Sequence, residues 1–137
     1  MSSSKQVDNG NRDEASLAKL FKSKGYWAHI FARSRSGSQP VDAIAFRGSS
    51  IWLVDSKNVE SGKASFSFDR IEANQRTSLD YAVIKCGLDP KHAGFAVFFE
   101  RDIDNPRFIT YEEVKRIEGE GGKSCNMSLM PLLSDCI

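Results

Sequence analysis

Pro40-Val41-Asp42-Ala43-Ile44-Ala45-Phe46-Arg47-Gly48-Ser49-Ser50-Ile51-Trp52-Leu53-Val54-Asp55-Ser56-Lys57 is the stretch whose reading decides the fold. Two apolar runs, residues 41–46 and 51–57, flank a polar Arg-Gly-Ser-Ser segment, which is the pattern of a β-hairpin. A turn at 47–50 pairs Phe46 with Ile51, and the same register sets Asp42 opposite Asp55. Directly opposed side chains have Cβ atoms roughly 4.5–5.5 Å apart. Two carboxylates at that distance repel each other, and a divalent cation between them removes the conflict. Strand side chains alternate with period 2, so Lys57 shares the face of Asp55. Its ammonium can orient or help deprotonate a water, or stabilise charge developing on a phosphate. Either aspartate alone reads as a solvated charge at a strand end. That reading explains less well why Asp55 and Lys57 close so apolar a run as Ile51-Trp52-Leu53-Val54.

Outward from the hairpin, the chain alternates helix and strand signals. Residues 1–11 are polar and lack apolar periodicity, so they read as a flexible tail. Asn11 with Glu14 fits a capping box, and Leu17, Leu20 and Phe21 continue at helical spacing up to Gly25. Residues 26–33 read as a strand, and 34–40 as a loop by composition. Residues 61–67 are polar and read as loop. A second helix is expected from Asp69 with Glu72 in the capping-box place, with Ile71, Gln75, Leu79, Ala82, Val83 and Cys86 on one face. Residues 94–99 read as a buried strand and 106–110 as a short one. Thr110 with Glu113 caps a third helix reaching about Ile117. Residues 119–123 read as flexible, and the apolar stretch 127–133 has no clear assignment. The expected division is a tail over 1–11, one domain over 12–118 and a C-terminal tail over 119–137. The element order implies an α/β fold, a mixed β-sheet flanked by helices.

Composition narrows the function classes. The chain has 137 residues, 40% apolar and 27% charged, which is ordinary for one globular domain. Its three cysteines, Cys86, Cys125 and Cys136, form no Cys-x-x-Cys pair, and there are two histidines, His29 and His92. A disulfide framework or zinc ribbon is not expected. A metal here is expected to be a hard cation on carboxylates. No signal-peptide core or membrane-length apolar run is visible, so the expectation is a soluble cytoplasmic protein, in the host cytoplasm if viral.

Pro40-Val41-Asp42 followed thirteen residues later by Asp55-Ser56-Lys57 resembles the motif of the PD-(D/E)XK nuclease superfamily, with Val41 inserted between its Pro and Asp. Over roughly residues 12–110 the order of elements is similar to Holliday-junction resolvases of the archaeal and RecU types. The shared features are a glycine after the first helix, an Arg/Ser/Gly loop before the hairpin, and a second helix bearing Gln75 and Leu79 after a Phe-rich loop. The resemblance implies a restriction-endonuclease-like fold and metal-assisted hydrolysis of DNA with Mg²⁺, or Mn²⁺ in its place. It implies Asp42 and Asp55 as metal ligands, the Ser56 carbonyl completing the site, and Glu14 contacting the metal directly or through water. Lys57 would serve the attacking water or the phosphate, and Gln75 would lie near the site. Asp13 is an alternative to Glu14. Branched DNA, above all a four-way junction, is the expected substrate, and a homodimer the expected assembly. A nuclease of this fold acting on ordinary duplex, and a non-catalytic DNA-binding module, are the alternatives.

Arg33, Ser34, Arg35, Ser36, Ser38 and Gln39 precede the hairpin and are of the types that contact phosphates. Lys19, Lys22 and Lys24 read as a solvent face. Trp27 and Trp52 read as core, and Phe66 and Phe68 as packing residues. The net charge of +1 hides a gradient: residues 1–40 hold seven basic and three acidic residues, a net of +4, whereas 41–90 sum to −1 and 91–137 to −2. The basic excess therefore leads into the hairpin, and near-neutral total charge does not exclude DNA.

Overall fold

A computed structural model describes residues 2–31, 41–60, 62–99, 102 and 104–137, and in 2–11 the backbone alone. The hairpin forms as expected. Strand β2 (Ala43–Arg47) pairs antiparallel with β3 (Ser50–Val59), with Phe46 opposite Ile51 and Arg47 opposite Ser50. The connection is the two residues Gly48 and Ser49. Gly48 has φ of 60° and no non-glycine residue among those described has a positive φ, which fits a type II′ turn with glycine first.

Strand β1 (Trp27–Ile30) pairs antiparallel with β2 on the outer side. Strand β5 (Ala93–Phe99) lies parallel to β3, and β6 (Arg107–Thr110) antiparallel to β5. The five-stranded sheet therefore runs β1-β2-β3-β5-β6 and is mixed, as the sequence implies. A parallel pair needs a crossover of a dozen or more residues. Here it contains β4 (Ser65–Ser67), a short 3-10 turn and helix α2 (Ala73–Asp80). Side chains 93–98 of β5 are all buried, as expected for a central strand covered on both faces. A Cβ at Gly94 would collide with the Ile109 carbonyl on β6, so only glycine permits that close approach.

Two cores follow from the alternation along β3. On one face Trp52 and Val54 join Ala43, Ala45 and Phe98 under helix α1 (Ser2–Ser23), which contributes Leu17 and Phe21. On the other, Val59 joins Phe95, Val97, Phe66, Phe68 and Leu79, closed by helix α3 (Tyr111–Gly119) through Val114. Thr110 caps α3 by accepting from the Glu113 amide, as expected.

Several expectations need correction. The first helix begins at Ser2 rather than at an Asn11 cap, so the backbone read as a tail is helical and Glu14 is interior to the helix. A formed helix lengthens by one hydrogen bond per residue and needs no apolar face to do so. Helix α2 starts at Ala73 with Glu72 as its cap, and Glu72 and Gln75 form the reciprocal box. Asp69 sits instead in the preceding 3-10 turn. Residues 65–67, read as loop, form β4, which pairs with β7 (Ser124–Asn126). The C-terminal segment, whose structure the sequence leaves open, is packed. Leu133, at the start of the short helix α4 (Leu133–Cys136), and Met130 are buried, and the Phe108 amide donates to Pro131. Trp27 is 54% exposed, because β1 is an edge strand whose outer rings no helix among the described residues covers.

Candidate active site

The register of β2 and β3 continues one residue beyond β2 and brings Asp42 to Asp55. Asp42 lies just before β2, and its Oδ2 accepts a 2.8 Å hydrogen bond from the Ser56 amide. Asp55, in mid-strand, is 1% exposed. The Lys57 ammonium stands 3.1 Å from Asp55 Oδ2 and donates to Gln75 Oε1 at 3.0 Å. The same Gln75 oxygen accepts from the Glu72 amide at 3.0 Å. One side chain thus caps α2 and holds Lys57, which fixes the helix against the end of the hairpin.

Asp55 is electrostatically unsettled. Burial, and then the neighbouring charge of Asp42, push its pKa from an ordinary 3.8 up to about 8, against the opposing pull of Lys57. Among the described residues the Lys57 ammonium is the group that meets an Asp55 oxygen, at ion-pair distance and without good hydrogen-bond alignment. Buried carboxylate oxygens without donors are rare, and a cation is one of the few groups that satisfies them. Two carboxylates beside a backbone segment are hard oxygen donors, which suit Mg²⁺ or Mn²⁺. Among the described residues no three His, Cys, Asp or Glu side chains gather closely enough to hold a metal by themselves. A cation at Asp42 and Asp55 would therefore be completed by backbone carbonyl and water, as is usual for Mg²⁺.

The structure thus brings together Asp42, Asp55, Ser56, Lys57 and Gln75. Glu14 is buried on α1, outside any such three-residue group. Its neighbour Asp13 is 1% exposed and accepts from Asn58 Nδ2 at 2.9 Å. Burial raises the Asp13 pKa, and the hydrogen bond from Asn58 opposes the rise. Asn58 escaped the sequence reading. Its signal was a polar residue directly after Lys57, which the alternation of β3 turns to the α1 face. Arg33, Ser34, Arg35, Ser36, Ser38 and Gln39 lie outside the described residues. A cavity of about 760 Å³ near Phe108, Thr110 and Cys125 is lined by none of these site residues.

No helix among the described residues is long and apolar enough to cross a membrane. No family model matches the sequence, and no curated protein matches it. Among solved structures, the chain is similar to Hjc, a Holliday junction resolvase from the archaeal hyperthermophile Archaeoglobus fulgidus, with a TM-score of 0.67 and 19% identity. The likeness covers 92% of this chain and 98% of that one. At that identity the likeness is one of fold, and it extends over nearly the whole of both chains. The restriction-endonuclease-like arrangement expected from the hairpin is therefore the one observed: a mixed five-stranded sheet between helices, in the fold of an archaeal Holliday junction resolvase.

Proposed function

We propose that this chain is a divalent-metal-dependent endonuclease that hydrolyses phosphodiester bonds in branched DNA, with the four-way junction as its preferred substrate. The observation that carries the reading is Asp55: buried opposite Asp42, with the Lys57 ammonium 3.1 Å from one of its oxygens. The activity of Hjc, resolution of Holliday junctions, adds weight to it.

In this reading Asp42, Asp55 and the Ser56 carbonyl hold the cation, with Glu14 engaged through water. When bound, such a cation polarises the phosphate and makes a water acidic enough to attack near neutral pH. Asp42, steadied by the Ser56 amide, keeps its carboxylate turned to the site. Lys57, held between Asp55 and Gln75, stabilises the charge that grows on the phosphate or relays a proton from the water. Arg33, Ser34, Arg35, Ser36, Ser38 and Gln39 contact the phosphate backbone, so binding weakens with salt. Two symmetric cuts call for two sites, and hence a homodimer. Intracellular placement belongs to the same proposal.

The test is cleavage of a labelled four-way junction and a matched linear duplex, each with Mg²⁺ and with EDTA, beside Asp55→Ala. The expected result is paired nicks at the junction that need Mg²⁺ and Asp55. Equal cutting of both DNAs would replace junction resolution by a duplex endonuclease. Binding without cutting, unchanged in Asp55→Ala, would leave a DNA-binding module.

A further inference from the structure

We infer that the open aromatic row formed by Trp27 and His29 on β1 and Phe31 just beyond its end binds DNA beside the scissile phosphate, by stacking on bases that a branch point frees from the duplex. This rests on the nuclease reading above and names what distinguishes its substrate. Alternation and register set the row on the sheet face that carries Asp42, Asp55 and Lys57. Trp27 pairs with Phe46 and His29 with Ile44, while the Phe31 amide donates to the Asp42 carbonyl at 2.8 Å. Across β5 and β6 the same face is buried beneath α2 and α3. Across β1 and β2 it is open: Trp27 is 54% exposed, Phe46 and Ile51 42%, and Phe31 36%. The rings form a continuous surface. Trp27 and His29 lie parallel within 11° at 6.0 Å, His29 meets Phe31 edge-on at 5.2 Å, and Trp27 meets Phe46 at 5.2 Å.

The row's position selects the occupant. Phe31 is level with the acid pair, and a strand rises about 3.3 Å per residue, so His29 and Trp27 follow at about 7 and 13 Å. With one side of the pair closed by α2 and α3, a DNA strand whose phosphate reaches Asp42 and Asp55 leaves across this row. A protein partner seated there would block that exit. The indole of Trp27 and the phenyl ring of Phe31 give a phosphate no attraction, but they match the faces of bases. An intact duplex keeps those faces stacked, whereas a branch exposes them. The row therefore favours branched over linear DNA at the site itself.

Affinities are measured in EDTA, without cleavage, for the junction and for a matched duplex, using Trp27→Ala, Phe31→Ala and Trp27→Phe. Stacking losses predict junction binding weakened about tenfold in each alanine variant, near-unchanged duplex binding, and recovery in Trp27→Phe. Trp52 is buried, so the quenching of tryptophan emission by the junction should vanish in Trp27→Phe. Equal junction affinity in all variants overturns the inference. So does a drop in sedimentation mass in Trp27→Ala, which would make the row a contact between copies. Cleavage by the wild-type chain with Mg²⁺ is scored separately. If it cuts while the alanine variants bind normally, the row alone fails; if it cuts no DNA, the nuclease reading fails.

Discussion

Asp13 and Asp55 are both 1% exposed, both raised in pKa by burial, and both tied to β3, yet their surroundings differ. Asp13 comes from α1 and meets Asn58, whose amide supplies a 2.9 Å hydrogen bond on the α1 face of the sheet. Asp55 looks to the other face and meets a second carboxylate and an ammonium, with no aligned donor. Burial of a carboxylate is thus compatible with two purposes. A neutral donor on one oxygen, with the Arg12 guanidinium 3.7 Å from the other, makes it a tie between helix and sheet. A like charge with a flanking lysine makes it costly to the fold, and such sites are where function is found.

The comparison breaks most visibly at Asp55. Asp55→Asn and Asp42→Asn should each reduce junction cleavage by about a thousandfold or more, because an amide cannot neutralise a divalent ion as a carboxylate does. Asp55→Asn should at the same time unfold later than wild type in EDTA at pH 8, since it removes a buried charge. Lower stability for Asp55→Asn would make Asp55 structural and abolish the contrast.

The next effect is on pH. A carboxyl whose folded pKa is raised stabilises the fold most below its unfolded pKa, and the contribution is lost as pH climbs through the folded pKa. With Asp55 shifted from 3.8 to about 8, the metal-free chain should lose stability as pH rises between about 4 and 8. The limiting slope is about 1.4 kcal/mol per pH unit. Urea titrations in EDTA across that window check it. The slope left in Asp55→Asn reports Asp13, whose shift has the same sign. A flat profile in the wild type would remove the electrostatic basis of the site.

Asp13→Ala and Asn58→Ala should each cost about 1–3 kcal/mol of unfolding free energy, the cost of leaving a buried polar partner unmade. A double-mutant cycle should return a coupling of about 1 kcal/mol. The smallest effect is expected at Gln75, where alanine removes both a cap and the seat of Lys57. A stability loss of about 1 kcal/mol should accompany a roughly tenfold fall in the cleavage rate. If only the stability moves, Gln75 caps the helix and does nothing for Lys57.

The acid pair was legible because it needs one register. Fixing Phe46 against Ile51 puts Asp42 against Asp55, and the hairpin obeys it. The buried strand β5 and the Thr110 cap were legible for the same reason, being set by near neighbours. The fold class followed from the order of such elements. What stayed hidden depends on residues far apart in the chain. β4 and β7 are three residues each, too short for a period, and they exist because they pair with each other. Trp27 looks like core by composition, and its exposure is decided by the place of β1 at the edge of the sheet. Asn58 and Asp13 are forty-five positions apart, and nothing local to either names the other.

The burial of Leu133 beside Leu17 and Phe21 bears on how the protein is made. Helix α1 leaves the ribosome well before Leu133, and the apolar face it presents is not fully covered until residue 133 has emerged. β4 likewise waits for β7. Contacts of such long sequence separation form late and fold slowly. Between the emergence of α1 and that of residue 133 the nascent chain therefore carries open apolar surface and unpaired strand edges, the condition that invites aggregation. Shortening the chain before residue 133 should yield less soluble product, even though every residue of the acid pair would still be present.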